Sequence, residues 1–571
     1  MKKILGGILL LIILITSGGV AYAFWPNNTS IAPYAPDMIH LIVEDEIVLG
    51  KDSVLVENNQ VLLALPVIKE YIDSNVHWDE KNSKFIFTTK DKVIRMAAGQ
   101  LTATVNARLI DLNIPVKLIE NIPYAPIEVL KDIFQIEVTW IDSNKVVTID
   151  YKKNVKQDVQ VISKKAKVRK EPSIKALILK KDIENNEKMR MFEEYDKWYK
   201  VRTEDGVIGY IEKRFVRKVE NKIESKEDRN DEVIQSSWKP NNGKINMVWE
   251  YVHKSTPNME KVKKIEGLDV VSPTWFSITD ENGTIVDKAD AKYVNWAHNN
   301  GYKVWALVDN SFDPDITNII LNDSEMREKI IQQLLMYAET YKLDGINIDF
   351  ENVYLKDKDM VTQFVRELVP MFKEQGLIVS IDVTVKSTNE NWSMFYDRKA
   401  LSEVVDYVAL MAYDQHWSSS PKAGSVAQIT WVENSLKQVL KEVPADKLLL
   451  GLPFYAREWK EEMVNNKKKV TSKALSMKAV KKIISDKNAN VSWDDESGQY
   501  YAQYKEGQAI YKIWVEDARS ITLKASLVSK YGLAGVASWR RGFESEDVWN
   551  VLLESLKQKD ITIEEGEKTW K

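Results

Sequence analysis

A repeated pattern of strand, loop and helix from Lys244 onward restricts the fold of this chain more than any other feature. Its apolar runs predict buried parallel strands, and helical patterns such as SEMREKIIQQLLMYAETY at 324–341 lie between most of them. Eight such units predict a (β/α)8 barrel with its active site at the carboxyl ends of the strands. The predicted strands are 245–252, 269–278, 302–310, 345–351, 377–385, 407–414, 448–459 and 533–542.

The rest of the chain divides into smaller parts around this barrel, which is predicted over 243–557. The long gap between the last two strands predicts an α+β insertion at about 460–530 of the printed sequence. Residues 41–152 contain a weak internal repeat of helix, strand, turn and strand that predicts a small α+β domain, and residues 157–218 predict a small β-barrel. The charged segment 219–242 predicts a linker. With 571 residues, a multidomain protein is expected.

Composition excludes several classes of function. The formal net charge is -4, with 80 Lys and Arg against 84 Asp and Glu, so we expect no binding to nucleic acid. The chain has no Cys, and its five His do not fall at the spacing of metal ligands. We therefore expect neither a disulfide nor a metal or other cofactor, and we expect a monomer.

The N-terminus predicts export. Lys2 and Lys3 precede a segment, Ile4 to Trp25, without a charged residue. Residues 1–25 fit a signal peptide with an A-x-A cleavage site at 21–23, and they are also long enough to span a bilayer. We slightly favour an uncleaved anchor, in which Trp25 lies at the membrane interface. Either alternative places the remaining chain outside the cytoplasm, in the cell envelope or secreted.

The stretch LDGINIDFENV at 343–353 indicates chemistry at one strand end. Asn347, Asp349 and Glu351 occupy every second position, so they share the face of the strand opposite to Ile346, Ile348 and Phe350. Carboxylates on a face turned into a barrel are costly to bury, and such groups mark a polar network or a catalytic site. Two carboxyls this close would couple, so one of them is expected to hold a proton near neutral pH.

The segment Asp344-Gly345-x-Asn347-x-Asp349-x-Glu351 resembles the DxxDxDxE signature of glycoside hydrolase family 18, the chitinase-like hydrolases. LMAYD at 410–414 looks like the M-x-Y-D strand of that family, and Trp539 stands where its last strand supplies an aromatic floor. SPTWF, VWALVDN and WVEDARS are similar to envelope and spore-associated members that act on peptidoglycan. One position departs from the signature, because Asn347 replaces its middle acid.

The resemblance implies roles for individual residues in substrate-assisted catalysis, in which the 2-acetamido group of the sugar is the nucleophile. Glu351 would be the acid, Asp349 would orient the acetamido N–H, and the Tyr413 hydroxyl would bind the acetamido oxygen. Met411 and Asp414 would shape the same pocket, and Trp539 would stack on the sugar. Asn347 would adjust the pH optimum without abolishing activity.

Further residues near predicted strand ends are candidates for substrate binding. Arg457 is favoured because a lone arginine at a strand-seven end would otherwise be buried without a partner, whereas packing is about as plausible as sugar stacking for Trp275. The remaining substrate-binding candidates are Asp344, Asn310 and Tyr455, and Asp382, Gln415, Trp514 and Glu516 are weaker candidates for subsites.

The two front domains also show resemblances. Residues 41–152 resemble the copper-amine-oxidase-N-like domain of bacterial envelope proteins, although no copper ligands are evident, so a spacer or binding module is expected. Residues 157–218 resemble a bacterial SH3 domain, in which Trp198 and Tyr199 serve either core packing or ligand binding. Such a domain implies attachment to the cell wall.

Together these features predict an exported glycosidase of bacterial peptidoglycan that cuts the β-1,4 bond after N-acetylglucosamine. A chitinase or chitooligosaccharide hydrolase is the alternative within the same class. A non-catalytic, lectin-like glycan-binding barrel is the alternative from a different class, and the presence of Asp349, Glu351 and Tyr413 argues against it.

Overall fold

The computed structural model describes residues 25–50, 52–155, 157–219, 238–259 and 262–557. Residues 1–24 of the predicted signal peptide or anchor and residues 220–237 of the predicted linker lie outside these ranges. None of the helices within them combines the length and apolar composition that a bilayer span requires. The chain divides into two compact units, residues 1–87 with 94–231 and residues 88–93 with 232–571.

The predicted repeat in the first unit is present as two copies of helix, strand, turn and strand. Leu65–Tyr71 and Leu130–Ile133 are its helices, and Pro66 is the second residue of the first of them. Their strand pairs belong to small sheets that share one apolar core. The strands of this part are His40–Val43, Glu46–Val48, Val54–Glu57, Gln60–Ala64, His77–Asp79, Lys84–Thr88, Val93–Ala97, Thr102–Val105, Arg108–Asp111, Lys117–Ile119, Ile122–Pro126, Ile136–Ile141 and Val146–Tyr151.

Residues 157–219 form a seven-stranded antiparallel sheet with its own core. Trp198 and Tyr199 are buried, 7% and 8% exposed, which favours packing over ligand binding for this pair. The likeness to an SH3 domain stays a prediction. The strands are Gln157–Val161, Val168–Arg169, Ile178–Lys180, Lys188–Glu194, Trp198–Thr203, Ile208–Glu212 and Val216–Lys218.

The second unit contains the predicted barrel. Eight parallel strands pair in chain order, and pairing of the first strand with both the second and the eighth closes the cylinder. Their apolar residues are almost entirely buried, because the barrel interior covers one face and the helices cover the other. The strands are β1 (Ile245–Glu250), β2 (Val270–Ile278), β3 (Lys303–Asp309), β4 (Gly345–Asp349), β5 (Ile378–Thr384), β6 (Tyr407–Met411), β7 (Leu448–Pro453) and β8 (Gly535–Trp539).

Helices connect each pair of successive strands from β2 onward, and several begin with a side-chain cap. Asp323, for example, accepts hydrogen bonds from the first backbone N–H groups of Ser324–Tyr341. The buried ion pair of Arg327 with Glu367 joins this helix to the next one. The helices are α1 (Ala291–Asn299), α2 (Pro314–Leu321), α3 (Ser324–Tyr341), α4 (Lys358–Glu374), α5 (Arg398–Val404), α6 (Ile429–Val439), α7 (Met477–Asp486), α8 (Ala518–Tyr531) and α9 (Asp547–Lys557).

The insertion between β7 and β8 differs in its bounds from the prediction. The chain leaves the barrel after Pro453, so the predicted strand 448–459 is two strands, and the second belongs to the insertion. Helix α8 packs against barrel elements, so the insertion ends before it and not at about 530. A five-stranded antiparallel sheet and α7 form the insertion, and its strands are Tyr455–Val464, Lys467–Ser476, Asn490–Asp494, Gln499–Glu506 and Ala509–Val515.

Candidate active site

The carboxyl ends of the central strands bring four acidic side chains together. Asp349 ends β4, and its register partner on β3 is Asp309. Glu351 follows Asp349 by two residues, and Asp382 lies on β5. Burial raises the pKa of Asp349 well above its usual value, and the charges of the other three carboxyls raise it further. The site therefore disfavours full ionisation of this set.

Glu351 has the protonation state that an acid catalyst requires. Burial raises its pKa from 4.5 to about 7, and the charges of Asp414 and Asp309 contribute to the same shift. A carboxyl with this pKa is protonated in much of the population near neutral pH and can donate its proton. The prediction that one of the Asp349–Glu351 pair holds a proton near pH 7 agrees with these pKa directions.

Asn310, predicted to bind substrate, instead holds the backbone of Glu351. It is 1% exposed and follows the last residue of β3. Its Oδ1 accepts a hydrogen bond from the Glu351 N–H at 3.0 Å, and its Nδ2 donates to the Glu351 carbonyl at 2.9 Å and to Thr317 Oγ1 at 2.8 Å. Both amide protons and the oxygen of Asn310 are thereby engaged, and the side chain positions the acid from the neighbouring strand.

Asn347 lies in the barrel interior at 0% exposure. Its Oδ1 accepts from Trp249 Nε1 at 2.8 Å and from Ser272 Oγ at 3.3 Å. Its Nδ2 donates to Ser380 Oγ at 3.0 Å and to Asp382 Oδ1 at 2.8 Å. A side chain with these four partners is a fixed polar support beneath Asp349, so direct binding of substrate by Asn347 is not supported.

The loop after β6 forms one wall of the site. Tyr413 is half-buried, and burial, followed by the charge of Asp382, raises the pKa of its hydroxyl well above 10. The hydroxyl therefore stays a hydrogen-bond donor across the physiological range. Asp414 is exposed and accepts a hydrogen bond from Tyr455 Oη at 2.6 Å. Arg457 Nη2 lies 3.4 Å from the same carboxylate.

Arg457 and Tyr455 thus reach the site from the insertion and not from the end of β7. Trp539 is the last residue of β8, and its side chain is half-buried. Its ring centroid lies 6.1 Å from that of Trp249 and 6.4 Å from that of Tyr251. Met411 ends β6 and is also half-buried. These positions are compatible with the predicted roles in substrate binding, which remain predictions.

Two predicted site residues lie away from the substrate. Trp275 is 0% exposed, because an irregular register between β2 and β3 turns it toward α1, where its ring packs 5.6 Å from Tyr293. Asp344 precedes β4 and therefore lies at the opposite end of the barrel. There it pairs with Lys303 and contacts His298, each at 2.7 Å. The prediction that these two residues bind substrate is wrong.

Glu516, one of the weaker candidates, is buried for a structural reason. It forms an ion pair with Lys524 of α8 at 3.0 Å, and both side chains are 0% exposed. Gln499 and Ser520 donate further hydrogen bonds to the same carboxylate. These partners consume the carboxylate oxygens, so Glu516 does not line a subsite.

The structure adds residues that the sequence analysis missed. Asp309 directly precedes Asn310 at the end of a predicted strand. A carboxylate at such a position could therefore have been identified from the sequence. Four exposed aromatic rings lie in segments that follow strand ends. They could not be identified from the sequence, because an aromatic residue in a loop does not by itself indicate a binding site. They are Tyr251 at 44%, Phe312 at 40%, Trp392 at 42% and Trp417 at 52% exposure.

The fold and the site define a glycosidase. Hydrolysis of a glycosidic bond needs an acid that protonates the leaving oxygen and groups that stabilise a positive charge at the anomeric carbon. The Glu351 carboxyl, with its raised pKa, and the adjacent acidic set at the carboxyl end of a (β/α)8 barrel provide these groups. The chain belongs to the glycosyl hydrolases family 18, whose family model matches residues 247–544.

The predicted resemblance of the barrel to glycoside hydrolase family 18 is thus confirmed. The predicted resemblance of residues 41–152 to the copper-amine-oxidase-N-like domain is confirmed as well. Residues 43–149 match the family model of the copper amine oxidase N-terminal domain. This match agrees with the domain predicted over 41–152.

Individual proteins are similar to this chain at low identity. A Bacillus subtilis (strain 168) protein described as the uncharacterized glycosylase YvbX is 27% identical over 290 residues, 49% of this chain and 82% of that protein. The cortical fragment-lytic enzyme of the same organism is 27% identical over 43% of this chain, and the alignment covers 57% of that enzyme. A chitinase structure from Chromobacterium violaceum, at 24% identity and a TM-score of 0.50, covers 55% of this chain and 99% of its own, and shares the fold.

Proposed function

We propose that this protein is an exported hydrolase of bacterial peptidoglycan that cleaves the β-1,4 bond after N-acetylglucosamine with retention of configuration. The observation that carries the proposal is the Glu351 carboxyl, whose pKa of about 7 suits an acid beside the buried Asp349. The choice of peptidoglycan is supported by the similarity to a cortical fragment-lytic enzyme. The basic, then apolar N-terminal segment supports export and an anchor.

The first step breaks the glycosidic bond. Glu351 gives its proton to the leaving oxygen while the acetamido oxygen of the sugar attacks the anomeric carbon. Asp349 accepts a hydrogen bond from the acetamido N–H and stabilises its developing positive charge. Tyr413, whose hydroxyl stays protonated, donates to the acetamido oxygen and orients it for attack. Trp539 stacks on the sugar ring.

The second step returns the site to its initial state. Glu351, now ionised, takes a proton from a water molecule that attacks the anomeric carbon from the side that the leaving group vacated. The bond to the acetamido oxygen breaks, and the product keeps its original configuration. The acid regains its proton, so no net proton is lost from the enzyme.

Product analysis on purified walls tests the substrate and the bond. Vegetative peptidoglycan, spore cortex and chitin tetrasaccharide are incubated with the protein, and the products are reduced with borohydride and identified by mass spectrometry. The proposal requires fragments with N-acetylglucosamine at the reducing end from a peptidoglycan substrate. Cleavage of chitin tetrasaccharide alone would indicate the chitinase alternative, and binding without products would indicate the lectin-like one.

Substrates without the N-acetyl group test the mechanism. A de-N-acetylated glycan lacks the proposed nucleophile, so the protein should leave its bonds intact at concentrations that suffice for the acetylated form. Equal rates on both forms would contradict substrate assistance. Proton NMR at early times should show the β-anomer of the new reducing end, and an initial α-anomer would contradict retention.

A further inference from the structure

The side chain of Asn347 connects opposite sides of the barrel interior. Its carbonyl faces donors on β1 and β2, namely Trp249 Nε1 and Ser272 Oγ, and its amino group faces acceptors on β5, namely Ser380 and Asp382. A reversed amide would turn its carbonyl oxygen toward the Asp382 carboxyl. The four partners therefore fix the amide orientation, and Asp382 is its carboxyl partner at 2.8 Å.

Asp382 is more deeply buried than either Asp349 or Glu351. It is 1% exposed, and in the part of the chain that the structure describes neither Asp382 nor Asp349 forms an ion pair with a basic side chain. Burial raises the pKa of Asp382 well above its usual value, against the hydrogen bond from Asn347, and the Glu351 charge raises it further. Two unpaired charges in this interior would be costly, so Asp349 and Asp382 together favour one shared proton.

The surroundings of Asp382 contain further titratable and charged groups, which also influence the protonation of the buried carboxyls. Two of them are held by hydrogen bonds to backbone carbonyls, because Tyr396 Oη donates to Phe350 and Arg398 Nη2 donates to Thr384. The groups that face this region are Asp309, Asp349, Glu351, Tyr396, Arg398, Tyr413 and Asp414.

We propose that Asp382 is a positioning residue that replaces, from the neighbouring strand, the carboxyl absent at position 347, and that it forms a three-carboxyl set with Asp349 and Glu351. This inference rests on the proposed hydrolase function. The geometric basis is the hydrogen bond from Asn347 to Asp382 and the common burial of these side chains. The carboxyl on β5 contacts the Asn347 amide, which stands at the position of the middle acid of the signature.

The proton balance of the set remains constant through the reaction. Glu351 donates its proton to the leaving oxygen and later takes one from the attacking water. The other proton stays between Asp349 and Asp382 throughout. While Glu351 is ionised, this retained proton limits the total charge of Asp349, Asp382 and Glu351 to two negative charges. Without it the three carboxyls would carry three.

An exchange of the two positions tests the inference. Asp382→Asn keeps an oxygen that can accept the Asn347 hydrogen bond, so the variant should fold, and circular dichroism and a melting curve verify this. Asn347→Asp/Asp382→Asn returns the carboxyl to β4. Asp269→Asn is the matched control, because burial also raises the pKa of Asp269, whose side chain is 15% exposed, but this residue precedes β2 at the opposite barrel end, where it pairs with Lys557.

The readout is kcat/KM against pH on the muramidase-released tetrasaccharide of peptidoglycan, or on chitin tetrasaccharide if only that is cut. Asp382→Asn should lower kcat/KM by about 10- to 100-fold, the cost of a misplaced catalytic group. Its acid limb should move to lower pH, because the Asp382 charge raises the pKa of Asp349. The exchange variant should recover both properties, and Asp269→Asn should show an unchanged profile.

The outcomes separate the inference from the function on which it rests. An active wild-type protein whose acid limb is the same in Asp382→Asn, with no recovery in the exchange variant, would refute the inference and leave Asp382 a structural acceptor. Inactivity of the wild-type protein on both tetrasaccharides would refute the proposed function and the inference with it.

Discussion

Removal of the Asn310 side chain should impair the catalytic acid without touching the substrate. Asn310 makes three hydrogen bonds, two with the Glu351 backbone and one with Thr317. Asn310→Ala deletes all three at a site that is 1% exposed. The variant therefore tests whether the acid is held in place by its neighbouring strand.

The magnitude follows from these contacts. A net loss of about 1 kcal/mol for each hydrogen bond gives about 3 kcal/mol of destabilisation. At roughly 2 °C per kcal/mol for a domain of this size, the melting temperature of the barrel should fall by roughly 6 °C. A displacement of the acid by about 1 Å should lower kcat by about 10²-fold, whereas KM should change little.

The assay combines melting curves with initial rates at 25 °C, where the variant remains folded. Asn318→Ala is the matched control, because Asn318 donates to both carboxylate oxygens of Asp357, at 2.7 Å and 2.9 Å, but does not contact Glu351. The control should have a lower melting temperature than the wild-type protein and an unchanged kcat. An Asn310→Ala variant with wild-type kcat, or a control with an equal loss of kcat, would refute the positioning argument.

Three further predictions address pH, binding and stability. Activity should fall as pH rises through about 7, because Glu351 donates only when protonated and its pKa is about 7; a basic limb below pH 6 would contradict this assignment. Trp539→Ala should raise KM about tenfold, the equivalent of 1.4 kcal/mol of stacking, while the buried Trp275→Phe should leave KM unchanged in the same titration. Arg327→Met should destabilise the barrel by about 3–5 kcal/mol in denaturant unfolding, since it removes the cationic partner of the buried Glu367 carboxylate. Arg327→Met/Glu367→Met should recover most of that loss, and a failure to recover would mean that packing, not charge, is responsible.

The barrel could be predicted because its strands are apolar on both faces and are separated by helices. The site could be located because period-two alternation places Asn347, Asp349 and Glu351 on one face of β4. The position of Asp344 could have been derived in the same way. The predicted strand 345–351 already begins after Asp344, which places this residue at the end of the barrel opposite to Glu351, and β4 does begin at Gly345.

Contacts between side chains of different strands could not be predicted from sequence patterns. The irregular register between β2 and β3 that turns Trp275 outward is not encoded in the apolar pattern. The hydrogen bonds of Asn310 to Glu351, and of Asn347 to Asp382, join residues of neighbouring strands whose relative register only the folded barrel defines. The assignment of Arg457 to β7 was wrong for a similar reason, because the chain leaves the barrel at Pro453 without interrupting its apolar pattern.

The role of Glu351 as the acid of a peptidoglycan hydrolase is best examined by kcat/KM of the wild-type protein and of Glu351→Gln on the muramidase-released tetrasaccharide at pH 6. Glutamine is similar in size and cannot donate the proton, so we expect a loss of about 10²- to 10⁴-fold with an unchanged melting temperature. Turnover by the variant within threefold of the wild-type rate would contradict it.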